Sequence, residues 1–235
     1  AGSNDQKVYL FGKDSSTPLW SYTTGGDVMS VAISADGEYI AAGGYDDKVY
    51  LFHNNMLPIA TIDSITPSPA NEGVGVSFVG SGLDSDGSIV GYQWRSSIDG
   101  DLSTASSFST SSLSVGEHAI FLKVQDDQGE WSAEVSLNLQ VNNVPPAASI
   151  DSISPSPAGE GEEVNFVGSG SDSAGSIVGY EWYSDVEGLL GNVASFSKND
   201  LSAGNHTITF RVQDDEGEWS GWEAAELFVY TNIPP

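Results

Sequence analysis

Apolar side chains recur at every second position along several stretches of the chain. Val90, Tyr92 and Trp94 form one such run, Ile120, Leu122 and Val124 a second, and Val135, Leu137, Leu139 and Val141 a third. Period-two alternation gives a strand one buried and one wet face, so these runs predict half-buried β-strands. Helical spacing is nearly absent. Turn clusters of the SPSPA, DSDGS and DDQGE type recur about every 10–15 residues, the spacing of an antiparallel sandwich.

The pattern is also duplicated. PIATIDSITPSPANEGVGVSFVGSG from Pro58 returns as PAASIDSISPSPAGEGEEVNFVGSG from Pro146. At an offset of 88, Trp94 maps onto Trp182 and His118 onto His206, with about 48 of 84 aligned positions identical. Two homologous domains are expected, over 58–145 and 146–235. About seven strands in each implies an immunoglobulin-like sandwich, and the whole chain is expected to be all-β. Upstream, KVYLF at 7–11 recurs at 48–52 with Gly/Asp turns between short strands. A period of about 41 residues with about four strands is that of a propeller blade, so residues 1–57 are expected to be a partial β-propeller, one blade plus strands of a neighbour. So few strands cannot close a propeller. The final NIPP at 232–235 repeats NVPP at 143–146. Both ends are therefore expected to be cut from a longer repetitive protein, with pooling of blades between chains as the alternative.

SGLDSDGSIVGYQW and GEHAIFLKVQDDQGEW contain the elements DxDGSIxxYxW, Gly-x-His and VxDxxG. On these residues each repeat resembles a PKD (polycystic kidney disease) domain over nearly its full length. The family's FGDG after the Trp is replaced by RSSIDG and YSDVEG. SVAISADGEYIAAGGYDDKVYLF resembles blades of the WD-repeat and quinoprotein-like propellers, without their Gly-His and Trp-Asp pairs or identifiable quinone-site residues. The combination is similar to archaeal or bacterial surface-layer-type proteins. The resemblance implies a secreted or cell-surface location and domains that serve as spacers or interaction modules.

Charge narrows the partners. Of 235 residues, 33 are acidic and 7 basic, a net charge of −26, and there is no cysteine. Seven cations cannot build the basic face that nucleic acid requires, and anionic membranes would repel the chain. No apolar run approaches the roughly 18 residues of a membrane span. Residues 1–57 carry 7 acids and 3 bases (net −4), 58–145 carry 11 and 2 (−9), and 146–235 carry 15 and 2 (−13). The acidity concentrates in the sandwiches. It reads either as a salt-adapted coat or as carboxylates clustered around a divalent cation.

The second reading can be placed. In a sandwich of this topology the loop holding Asp84 and Asp86 falls at the same end as the hairpin holding Asp126 and Asp127. Calcium takes six to eight oxygens from such loops. In the second repeat the matching residues are Asp172, Ala174, Asp214 and Asp215, so one carboxylate is lost, and Glu216 and Glu218 lie nearby without occupying its position. The rival reading is turn formation, for which aspartate is favoured because it bonds its own backbone. That end faces the preceding domain, where an ion would stiffen the short, proline-containing NNVPP linker into part of a semi-rigid rod.

Other candidates read as structural. Trp94 and Trp182 belong in the core. Trp131, Trp219 and Trp222 follow turns and close hairpin edges, with stacking on sugars as the alternative. His53, His118 and His206 lack partners for zinc, and the paired His118 and His206 point to a structural hydrogen bond. Asn205 begins the sequon Asn-His-Thr at a predicted hairpin tip, a glycosylation acceptor. No catalytic constellation is present, and no cofactor beyond calcium is implied. The sequence thus describes a non-catalytic extracellular structural or adhesive protein, with other protein chains or cell-surface glycans as partners. The alternatives are an accessory region of a secreted hydrolase or protease, and a filament or ring subunit joined through blade edges.

Overall fold

The computed structural model describes residues 1–231, and the regular elements within them are all β-strands. In the N-terminal module, β1 (Gly2–Ser3), β2 (Lys7–Phe11) and β3 (Pro18–Thr23) form one antiparallel sheet. A second contains β4 (Val28–Ile33), β5 (Tyr39–Gly44) and β6 (Val49–His53). This differs from the expected four-stranded blade with part of a neighbour. The first KVYLF is the central strand β2, whereas the second becomes edge strand β6. After β6 the chain departs toward Pro58 instead of laying down a counterpart of β3, so the described residues hold two three-stranded sheets. The turn between the sheets is tied by the Gly25 amide, which donates to Asp46 Oδ2 at 3.1 Å and to the Tyr50 hydroxyl at 3.0 Å. Val8, Val28 and Ala42 form a small core under Trp20, Tyr50 and Phe52.

Each repeat is a two-sheet sandwich. In the first, β7 (Ile59–Thr66), β8 (Ala70–Asn71), β9 (Val76–Leu83), β10 (Ile89–Ser96), β11 (Gly100–Ser103), β12 (Ser107–Thr110), β13 (Gly116–Asp126) and β14 (Val135–Asn142) follow in sequence. They sort into a three-stranded sheet, β12-β9-β7, and a five-stranded sheet, β11-β10-β13-β14-β8. The second contains β15 (Ala147–Ser154), β16 (Ala158–Gly159), β17 (Val164–Ser171), β18 (Ile177–Ser184), β19 (Gly188–Gly191), β20 (Ser195–Lys198), β21 (Gly204–Asp214) and β22 (Glu223–Tyr230), with the same two strand orders. Eight strands replace the expected seven or so. The two-residue β8 and β16 pair in parallel with the last strand of their repeat and are too short to show any alternation.

The cores follow the aromatic pattern. Trp94 packs edge-on against Phe78 and Phe108, which stack at 4.6 Å; Trp182, Phe166 and Phe196 repeat the arrangement, with Phe210 added at 4.3 Å from Trp182. Each indole N–H is satisfied by a backbone carbonyl, Ala105 at 3.0 Å and Val193 at 3.1 Å, as a buried donor must be. Alternation misleads at two places. A register shift between Ile89 and Gly91 turns Val90 outward, leaving it 62% exposed, and Leu137 faces solvent while Leu139 and Val141 enter the core. His118 and His206 are buried just inside β13 and β21. Their Nδ1 atoms lie 2.7 and 3.0 Å from the Ser96 and Ser184 hydroxyls, and their Nε2 atoms 2.7 and 2.8 Å from the Ser114 and Ser202 carbonyls. Asn205 is exposed on β21 itself rather than at a hairpin tip, because the strand begins at Gly204. The NIPP tetrapeptide lies outside the described residues.

Candidate functional site

In the first repeat the β9–β10 loop carries Asp84 and Asp86, and the hairpin leaving β13 carries Asp126 and Asp127. The structure brings the first three together where the N-terminal module enters. Asp126 is fully buried, and its Oδ1 accepts from the backbone N–H of Gln128 (3.0 Å) and Glu130 (2.8 Å), closing the turn. Its Oδ2 faces the other way and accepts from Asn55 Nδ2 at 2.8 Å. Asp86, whose side chain is 1% exposed, accepts from the Met56 amide at 3.0 Å and lies 3.7 Å from His53 Nε2. Asp127 stays at the rim, reached by the Ser88 hydroxyl at 3.3 Å. One oxygen of Asp126 therefore forms the turn and the other clasps the neighbouring domain.

The second repeat repeats the clasp with a substitution. Asn143, 88 residues after Asn55, donates to Asp214 Oδ2 at 2.9 Å and to Glu218 Oε2 at 3.1 Å. Asp214 Oδ1 accepts from the Glu218 amide at 2.6 Å. Asp172 Oδ1 caps its own loop through the amides of Ala174 (3.0 Å) and Gly175 (3.1 Å), while Asp215 accepts from the Ser176 amide at 2.7 Å. Ala174 stands where the first repeat has Asp86, and a Cβ placed on Gly73 of the preceding repeat would come within 2.9 Å of its methyl group. Glycine at 73 thus leaves room for that methyl group across the junction. The carboxylate missing from position 174 is supplied from across the junction: Glu72 of the first repeat accepts from the Val144 amide at 2.7 Å, as Asp86 does from Met56. Asn55, Asn143, Glu72 and Glu218 are thus junction residues that reading one repeat at a time does not single out.

Several acceptors are left without donors. Asn55 Oδ1, Asp84 Oδ2 and Asp86 Oδ1 at the first junction, and Asn143 Oδ1 and Asp172 Oδ2 at the second, are buried with no hydrogen-bond partner among the described residues. Buried unpaired oxygens are costly, more so when ionised. The electrostatics register this. Burial raises the pKa of Asp84 above the ordinary carboxylate value, and the adjoining Asp86 and Asp126 carboxylates raise it further. Burial also pushes Asp126 upward, but the hydrogen bonds from Asn55 and from the turn amides outweigh it and hold the pKa low. Glu216 is raised by burial first and then by Asp215 and Glu72. As placed, no three acidic or histidine side chains among the described residues converge closely enough to hold one ion. The unpaired Asn55 and Asn143 carbonyls add one further buried oxygen at each junction.

No family model matches the chain. It is 30% identical over 164 residues to the pre-pro-metalloprotease PrtV of Vibrio cholerae, a stretch covering 69% of this chain and 17% of that protein. The chain thus spans about a sixth of the length of the curated relatives it matches. Among solved structures, the PKD1 domain of the Vibrio cholerae metalloprotease PrtV is 28% identical and aligns over 37% of this chain and 99% of its own, with a TM-score of 0.32. The PKD1 domain of Vibrio anguillarum Epp is 26% identical over 39% and 100%, with a TM-score of 0.33. No helix among the described residues is long and apolar enough to cross a membrane.

Proposed function

We propose that residues 58–231 are tandem PKD-type sandwiches forming a semi-rigid, non-catalytic spacer outside the cell, with calcium bound at its domain junctions. The observation that carries this reading is the repeated clasp. Asn55–Asp126 and Asn143–Asp214 stand at equivalent positions, and each is surrounded by buried oxygens without donors. Calcium, which accepts six to eight oxygens from flexible loops, satisfies such groups without demanding ideal geometry. Calcium binding would draw Asp84, Asp86, Asp126 and the Asn55 carbonyl inward from their separation in the ion-free arrangement to form the first site, with Asp127 at its rim. Asp172, Asp214, Glu218, the Asn143 carbonyl and Glu72 serve the second, with Asp215 at its rim. An ion there joins two domains and takes away the freedom of a short linker.

Small-angle X-ray scattering of the full chain tests the spacer. In calcium the profile is expected to fit one extended particle. In chelator, or with Asn143→Ala, it should broaden to an ensemble of bent forms. A profile equally flexible with and without calcium would overturn the reading.

The likeness to PrtV favours a second reading, that this rod is an accessory region of a secreted protease. Both readings place the activity of any larger protein outside these residues, and the partners are other protein chains or cell-surface glycans. The N-terminal sheets, with Leu19, Met29, Ile33, Val49 and Leu51 exposed, suit blades that need further blades against them, from this chain or another.

A further inference from the structure

The outer face of the five-stranded sheet differs between the repeats. In the second, Glu181 and Tyr183 on β18 pair with Arg211 and Thr209 on β21, so the four side chains share one face. Glu181 holds the Arg211 guanidinium at 2.5 Å, and Arg211 lies 4.4 Å from the ring centres of both Trp219 and Trp222. Trp222 is 46% and Tyr183 45% exposed. With Glu181 and Thr209 they line an open cavity of about 470 Å³. That volume falls within the roughly 300–1,000 Å³ of small-molecule sites.

The fold does not require this opening. In the first repeat the position of Tyr183 is taken by Arg95 and that of Trp222 by Glu134. Arg95 forks onto Glu134 at 2.9 and 2.7 Å and covers Phe121 at 3.8 Å, so the aromatic surface there is capped by an ion pair. The homologous sandwich thus has a closed form of the same face.

Two half-exposed rings flanked by hydrogen-bonding groups fit a ligand with apolar C–H faces and a rim of hydroxyls. The Glu181–Arg211 pair cancels its own charge, so the site offers no net charge to an ionic ligand, and a chain of −26 repels polyanions. We propose that this face of the second repeat is a binding subsite for a neutral pyranose chain, with Trp222 and Tyr183 as stacking platforms and Glu181, Arg211 and Thr209 as hydrogen-bonding partners. This deepens the glycan half of the functional reading and needs neither the junction ions nor a rigid rod.

The full chain is titrated with cellohexaose, chitohexaose and mannohexaose by calorimetry, in calcium and in chelator. At least one sugar is expected to saturate with Kd at or below about 1 mM. Trp222→Ala and Tyr183→Ala should each weaken it about tenfold or more. Trp222→Phe, which keeps a ring, should stay within a few-fold, and Trp131→Ala in the first repeat should leave binding intact. Absence of saturation by all three sugars up to about 10 mM, or binding indifferent to both alanine substitutions, would overturn the proposal. Because the rod is tested by scattering without sugar, the two readings fail separately.

Discussion

A carboxylate at these junctions has opposite effects depending on which donors reach it. Asp126 has donors on both oxygens and a lowered pKa, so its stabilisation is present above the unfolded value and lost as the pH falls through the folded one. Asp84 is raised by burial and by its carboxylate neighbours, so its stabilisation is present at low pH and lost as the pH rises through the folded value. At pH 7 without a cation, ionised Asp84 therefore opposes folding. Asp84→Asn is expected to raise the melting temperature of the first repeat by a few degrees in chelator at pH 7. The gain should fade on acidification, as the native carboxyl itself protonates. In calcium at pH 7 the substitution should instead lower the melting temperature. A loss of stability in chelator both at pH 7 and on acidification would contradict the assignment. The aspartates were legible in the sequence because turns and calcium loops favour the same residue. Asn55, Asn143 and Glu72 were not, because their partners lie in another domain and nothing in a single repeat marks them.

At the scale of the strand, alternation foretold the sandwich but missed what local geometry decides. Val90 follows the period yet points outward at a bulge, and β8 and β16 are too short to have a period. Glycine on β17 carries a different constraint. A Cβ on Gly168 would lie 2.7 Å from both Phe210 and Trp182, two buried rings with no room to retreat. Gly168→Ala should therefore cost about 1–3 kcal/mol through overpacking, read as a lower urea midpoint for the second repeat. Gly221→Ala, where an added Cβ meets nothing within 4 Å, should stay within about 0.5 kcal/mol of the parent. Equal effects at the two positions would mean that backbone entropy, rather than the indole, decides the cost.

Across the whole molecule the offset of 88 residues repeats the junction as well as the domain. His53–Pro58 leads into the first sandwich as Val141–Pro146 leads into the second, and each presents an asparagine to the buried aspartate that ends the long strand. The second junction keeps the pattern by borrowing Glu72 from the preceding sandwich, which makes the turn at Gly73 part of the joint. The N-terminal module was less legible: its KVYLF repeat suggested equivalent strands, but the chain turns away after the second copy, so one becomes central and the other an edge. The excess of carboxylates over cations in the sandwiches acquires a place in this arrangement, since part of it is gathered where domains meet. The most direct test is calorimetric titration of calcium into the chelator-treated full chain. Saturable binding at two sites, with a matching rise in melting temperature, is the expected result. The absence of both heat and thermal shift would contradict the account and leave the junction aspartates as turn formers alone.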